Sequence, residues 1–179
     1  ARFANALVYL NASPAEMTWK SGIDLLTFGT TKNGTMNAEA VITFDAEIAS
    51  ILRFMHKRAG HLLSKMRYMS VQLLSYLDAE LWKANATQAN ANATRVAAAL
   101  RSCPGVEIVY PVNVNEVFAI MPQALLAALE VTGIKLRPWA CDDNGRGSRL
   151  VMSYCDSEAL ITTLETSCFN FTSQVGTIK

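Results

Sequence analysis

The 179-residue sequence is short of charge: 16 Lys and Arg face 15 Asp and Glu, and charged residues make up only 17% of the chain. Because the two signs are interspersed, no basic stripe forms that could track a phosphate backbone, and nucleic acid is not an expected partner. Close cysteine pairs are also absent. Cys103, Cys141, Cys155 and Cys168 are too widely spaced for a zinc or redox motif. Their even number leaves disulfides open, but a chain that is 51% apolar has enough material for a core without staples, which favours free thiols. No apolar run approaches the ~20 residues needed to cross a bilayer, so no membrane is expected. Internal repeats are lacking, as is a signal-like segment, and a start at Ala1-Arg2-Phe3 without Met reads as a processed or truncated chain.

What remains is a globular composition with a clear order of segments. A short helix, a turn at Pro14 and a second short segment fill residues 1–22. Ile23-Asp24-Leu25-Leu26-Thr27-Phe28 then reads as a buried strand closed by Gly29, and Ala40-Val41-Ile42-Thr43-Phe44 as a second strand, with Asp45 suited to cap the helix after it. From Ala46 to about Arg101 the pattern is helical. Leu62, Met66, Met69, Leu73, Leu77 and Leu81 recur every three or four residues and would share one face of a long helix, as core or subunit interface. The Ala, Asn and Thr-rich stretch 84–94 reads as the approach to a bend or the outer side of a second helix ending before Pro104-Gly105. Strands at 106–112, 117–121 and 149–154 alternate with helices at 123–131 and 157–168. Residues 1–60 and 104–179 are thus expected to form separate domains, with connecting helices over 61–103.

Lys32 is the residue best placed for chemistry. It sits in a tight polar loop directly after the first strand, between Thr30-Thr31 and Asn33-Gly34. A strand fixes the origin of such a lysine and small neighbours leave room for a carbonyl compound that could form a Schiff base with it. A lysine in a loop is more often a solvated charge, and local chemistry does not separate the two. His56 and His61 could in principle act as bases near neutral pH. Five Asn-X-Ser/Thr triplets, at Asn11, Asn33, Asn85, Asn92 and Asn170, would permit glycosylation or arise by chance in an Asn-rich chain.

Phe28-Gly29-Thr30-Thr31-Lys32-Asn33-Gly34 resembles the cofactor-lysine segment of the low-specificity L-threonine aldolase family. Ala1-Arg2-Phe3-Ala4-Asn5-Ala6 is similar to the end of that family's Asp-Gly-Ala-Arg segment. Lys57-Arg58-Ala59-Gly60-His61 and Ser64-Lys65-Met66-Arg67 resemble its basic segment, and Asn115-Glu116-Val117-Phe118 and Ser148-Arg149-Leu150-Val151 its small-domain strands. The resemblance runs in one order along nearly the whole chain. It implies an α/β fold of the fold-type I class of pyridoxal 5'-phosphate enzymes, comprising the end of the large cofactor domain and a small C-terminal α+β domain. It implies further that Lys32 carries the cofactor, that Arg149 binds the substrate α-carboxylate as a bidentate fork, and that Arg2 and Arg67 lie near the cofactor. On the same footing His61 is a supporting or interface residue and His56 a solvated one.

The implied reaction is cleavage of L-threonine or L-allo-threonine to glycine and acetaldehyde, in a cytoplasmic dimer or tetramer. The family's aspartate for the pyridine nitrogen, its glycine-rich phosphate loop and its stacking histidine would lie upstream of residue 1. The missing N-terminal half is therefore an expected partner, and residues 1–179 alone are expected to be inactive. Another fold-type I reaction, such as transamination or β-elimination, or a non-catalytic protein on the same fold, remains an alternative.

Overall fold

Two short antiparallel sheets, one early and one late, organise the chain. The computed structural model describes residues 2–139 and 146–177, and these divide into two compact units, Ala1–Ala86 and Thr87–Lys179. Among the described residues no helix is long and apolar enough to cross a membrane.

In the first unit, helix α1 (Phe3–Leu10) precedes strands β1 (Leu25–Gly29) and β2 (Glu39–Thr43), which pair antiparallel with Phe28 opposite Ala40. Helix α2 (Ala46–Arg58) starts where the sequence suggests. The Asp45 side chain accepts a hydrogen bond from the Ile48 N–H at 2.8 Å, and His56, Lys57 and Arg58 occupy the last turn, where positive charge suits the helix dipole. Gly60, with φ of 76°, ends this segment. Helix α3 (Arg67–Leu77) follows, then a 3-10 turn (Asp78–Glu80) and helix α4 (Leu81–Arg101), inside which the boundary between the units falls. The core of this unit is small and aromatic. Phe28 lies 6.0 Å from Phe3, 6.2 Å from Tyr76 and 6.5 Å from Trp82 between ring centroids, with Ala4, Leu7 and Ala86 completing the buried set.

Several expectations are corrected here. The helical stretch from Ala46 is three helices, because positive φ values at Gly60 and Lys65, and again at Ala79 and Glu80, break it twice. Leu62 therefore sits in a loop, and Leu77 and Leu81 are exposed, so the leucine and methionine stripe is not the core of this chain. Strand β1 likewise buries Phe28 but leaves Leu25 exposed, and Ile23, expected in the strand, lies before it and is also exposed. Residues 84–94 form the middle of the continuous helix α4, where alanine favours the helix and small side chains allow close packing. Asn33, Asn85 and Asn92 are buried in the fold, which bars glycosylation there and leaves only Asn11 and Asn170 of the five triplets exposed.

The second unit has the larger core. Strands β3 (Glu107–Ile108), β4 (Glu116–Ile120) and β5 (Gly147–Val151) form an antiparallel sheet in that order. Along β4, Val117 and Ala119 point inward and are fully buried, as the period of two requires. They pack with Ala93, Val96, Ala97 and Leu100 of α4, with Leu125 and Leu129 of helix α5 (Gln123–Val131), and with Ile161 and Leu164 of helix α6 (Glu158–Thr177). Arg95 holds α6 to α4 from outside, pairing both oxygens of Glu158 at 2.8 Å and those of Glu165 at 3.0 and 2.9 Å. Cys103 and Cys168 are buried free thiols and Cys155 an exposed one, while Cys141 lies outside the described residues.

Because Leu129 is fully buried, Leu129→Ala should lower the stability of this unit by about 2–5 kcal/mol, the usual loss for a leucine cavity. Urea-dependent hydrogen exchange of the α5 amides measures it. A loss below about 1 kcal/mol would mean that the core is not closed around α5.

Candidate functional site

Lys32 is exposed on a tight turn, yet the residues on each side of its turn are buried. Thr30 is fully buried, shares a hydrogen bond of 2.7 Å with the Thr35 hydroxyl, and donates to the Ala38 carbonyl. Backbone bonds from the Asn33 and Thr35 N–H groups to the Thr30 carbonyl, at 3.0 and 3.3 Å, close the turn. Asn33 is buried against α3 and the start of α4: its amide nitrogen donates to the Tyr76 hydroxyl at 2.6 Å and to the Trp82 carbonyl at 2.8 Å. Thr31, beside the lysine, donates from its hydroxyl to Glu39 of β2 at 2.6 Å. The amine thus projects from a backbone that is tied on both flanks.

The other residues singled out from the sequence lie on separate elements. Arg2 occupies the N-cap position of α1, and its carbonyl accepts from the Ala6 N–H at 3.1 Å. Arg67 opens α3, with its guanidinium 5.1 Å from the Tyr68 ring. His56 and His61 are both exposed, their rings 6.4 Å apart and nearly parallel, in a cleft with Glu39, Leu63, Met66 and Met69. Lys32, Arg2 and Arg67 belong to the first unit, and Arg149 belongs to the second.

Arg149 stands on the sheet face opposite the core, directly across from Phe118 in the β4–β5 register. Its guanidinium lies 4.9 Å from the Trp139 ring, and Trp139, Phe118 and Tyr110 follow one another edge to face at 5.5 and 5.4 Å. Nε is 3.7 Å from Glu116, an ion-pair distance longer than a hydrogen bond. Arg149 also lines a cleft of ≈ 580 Å³, together with Arg137, Leu136, Asp156 and the core residues Leu150, Met152 and Ile161. A planar cation stacked on indole at the mouth of such a cleft suits a carboxylate.

Trp139 and Tyr76 carry no signal in the sequence, and Asn85 stands out there only as one of the five Asn-X-Ser/Thr triplets. Tyr76 and Asn85 reach Asn33 from 43 and 52 residues away, a separation that leaves no local signal.

The model of beta-eliminating lyases matches residues 1–124. The chain belongs to the beta-eliminating lyase family. Within it, 164 residues are 37% identical to a low specificity L-threonine aldolase of Pseudomonas sp. (strain NCIMB 10558), covering 92% of this chain and 46% of that relative. A second low specificity L-threonine aldolase, from Pseudomonas aeruginosa, is 38% identical over 133 residues, covering 74% of this chain and 38% of that one. The chain thus spans less than half the length of these curated relatives. A solved structure of Leishmania major threonine aldolase superposes with a TM-score of 0.76 over 99% of this chain and 50% of that one, at 22% identity. The mixed helix and sheet architecture is therefore that of the fold-type I class, as the sequence implied.

Proposed function

We propose that these residues are about half of a pyridoxal-phosphate-dependent aldolase that cleaves L-threonine or L-allo-threonine to glycine and acetaldehyde, with Lys32 as the cofactor lysine. The observation that carries this reading is the combination of an exposed amine with buried, hydrogen-bonded flanks at Thr30 and Asn33. The names of the two Pseudomonas relatives support the substrate. A primary amine held on a fixed backbone fits an aldehyde cofactor, because its approach is set before the bond forms.

When bound, pyridoxal phosphate supplies an electron sink for bonds broken at the substrate α-carbon. The side chains do the rest. Lys32 Nζ would hold the cofactor and would be the group placed to accept and return a proton. Arg149 orients the substrate by gripping its α-carboxylate through two parallel N–H donors, with Trp139 backing the guanidinium plane. Arg2 and Arg67 would supply positive charge for the cofactor phosphate. On this reading the rest of the fold comes from the remaining half of the enzyme, and the protein works as a cytoplasmic dimer or tetramer.

Borohydride reduction of the intact protein followed by peptide mapping tests the central assignment: a pyridoxyl group is expected on Lys32, and its absence there would sink the reading. The family description favours one rival, β-elimination on the same residues. Release of glycine and acetaldehyde from threonine is expected, whereas keto acid and ammonia would point to the rival.

A further inference from the structure

The turn that bears Lys32 is tied to β2 through Thr31 and Glu39 and to α3 through Gln72, which accepts from the Met36 and Asn37 N–H groups at 3.0 Å, but its buried anchor is Asn33, which is gripped from both sides of a strained break in the helices. Its side-chain amide gives one proton to Tyr76 Oη at 2.6 Å and the other to the Trp82 carbonyl at 2.8 Å. Its backbone carbonyl accepts from Asn85 Nδ2 at 2.8 Å, and its own N–H closes the turn on the Thr30 carbonyl at 3.0 Å. Asn33, Tyr76, Trp82 and Asn85 are all buried.

Tyr76 precedes the break between α3 and α4, and Trp82 and Asn85 follow it. At the break, Ala79 and Glu80 adopt φ values of 47° and 56°, a left-handed conformation unfavourable for residues with a Cβ. The sharp turn brings groups from the end of one helix and the start of the next onto the same asparagine. An ordinary hydrated turn, already closed by its own Thr30 bonds, needs no such anchor. Burial also holds the Tyr76 phenol above its ordinary pKa, so its hydroxyl stays neutral near pH 7.

We propose that Tyr76 and Asn85 are positioning residues for Lys32, fixing through Asn33 the backbone from which the amine projects. The inference rests on the reading of Lys32 as the cofactor lysine. Neither residue touches the cofactor in this account. Both act by holding the amine's origin still, which lowers the entropy that covalent capture would otherwise have to remove.

The test uses the intact protein and two variants, Tyr76→Phe and Asn85→Ala. Tyr76→Phe keeps the ring that packs 6.2 Å from Phe28 and removes only the hydroxyl. Pyridoxal phosphate affinity, read by absorbance titration, should fall about fivefold to tenfold in each variant, the effect of one buried hydrogen bond. The pH midpoint of the bound-cofactor absorbance should move, and amide exchange over residues 31–35 should quicken about tenfold. Affinity within about twofold of the parent, with an unmoved pH midpoint, would overturn the proposal. Should Asn85→Ala fail to fold, Tyr76→Phe alone decides. A parent labelled at Lys32 by borohydride, alongside variants that match it, sinks the positioning role only. A parent unlabelled at Lys32 sinks the functional reading as well.

Discussion

Lys32→Ala in the intact protein is expected to lower glycine release from threonine by about 10²- to 10⁴-fold, the range a positioned proton-transfer group contributes, and to abolish borohydride-stable attachment of the cofactor. The size of the effect follows from two losses at one atom. On the proposed reading Nζ would be both the point of covalent attachment and a proton-transfer group, and a methyl side chain supplies neither. Folding should be untouched, because Lys32 is exposed and the ties at Thr30 and Asn33 do not involve its side chain. Steady-state kinetics with circular dichroism would measure both. A variant retaining more than about a tenth of the parent rate would remove Lys32 from the mechanism.

Arg149→Ala is expected to raise the KM for threonine by about 10- to 100-fold, since a charge-assisted pair of hydrogen bonds to a carboxylate contributes about 1.5–3 kcal/mol. Among the described residues the guanidinium makes a long ion-pair contact to Glu116 at 3.7 Å, so on the proposed reading a substrate carboxylate would gain two shorter bonds there. Arg149→Lys should recover only part of the loss: it keeps the charge, but not the planar fork or the stacking on Trp139. Kinetics with threonine, and inhibition by glycine as a second carboxylate, check this. An unchanged KM in Arg149→Ala would return Arg149 to a surface role on the sheet.

The sequence made the strands, their order and the turn with Lys32 legible, because each rests on local pattern. Asp45 could be read as a cap because the chemistry that makes it one is contained in the next three residues. The first break is marked by Gly60, but the turn at Lys65 and the break at Ala79–Glu80 were not legible, because residues with a Cβ in the left-handed region carry no glycine to mark them. The leucine and methionine stripe misled for that reason, as its spacing continues across both breaks. Asn85 and Asn92 were legible only as Asn-X-Ser/Thr triplets in an Asn-rich stretch, and their burial was not. Their partners, the Asn33 carbonyl and the Ser153 carbonyl, lie 52 and 61 residues away along the chain. Trp139 was hidden in the same way, since its contact with Arg149 depends on the isolated bridge by which Pro138 pairs with Ser148 of β5.

The exposed large apolar side chains are unevenly shared. Nineteen lie in residues 1–86, among them Phe54, Leu74 and Met36, and six lie beyond, among the described residues. The later unit closes around its own three-stranded sheet, whereas the earlier one offers a two-stranded ribbon and helices with apolar faces still open to water. During biosynthesis this asymmetry sets an order of risk. The later residues can collapse on themselves as they emerge, while the earlier ones keep apolar faces open to water, so a chaperone that shields nascent chains would be needed there first.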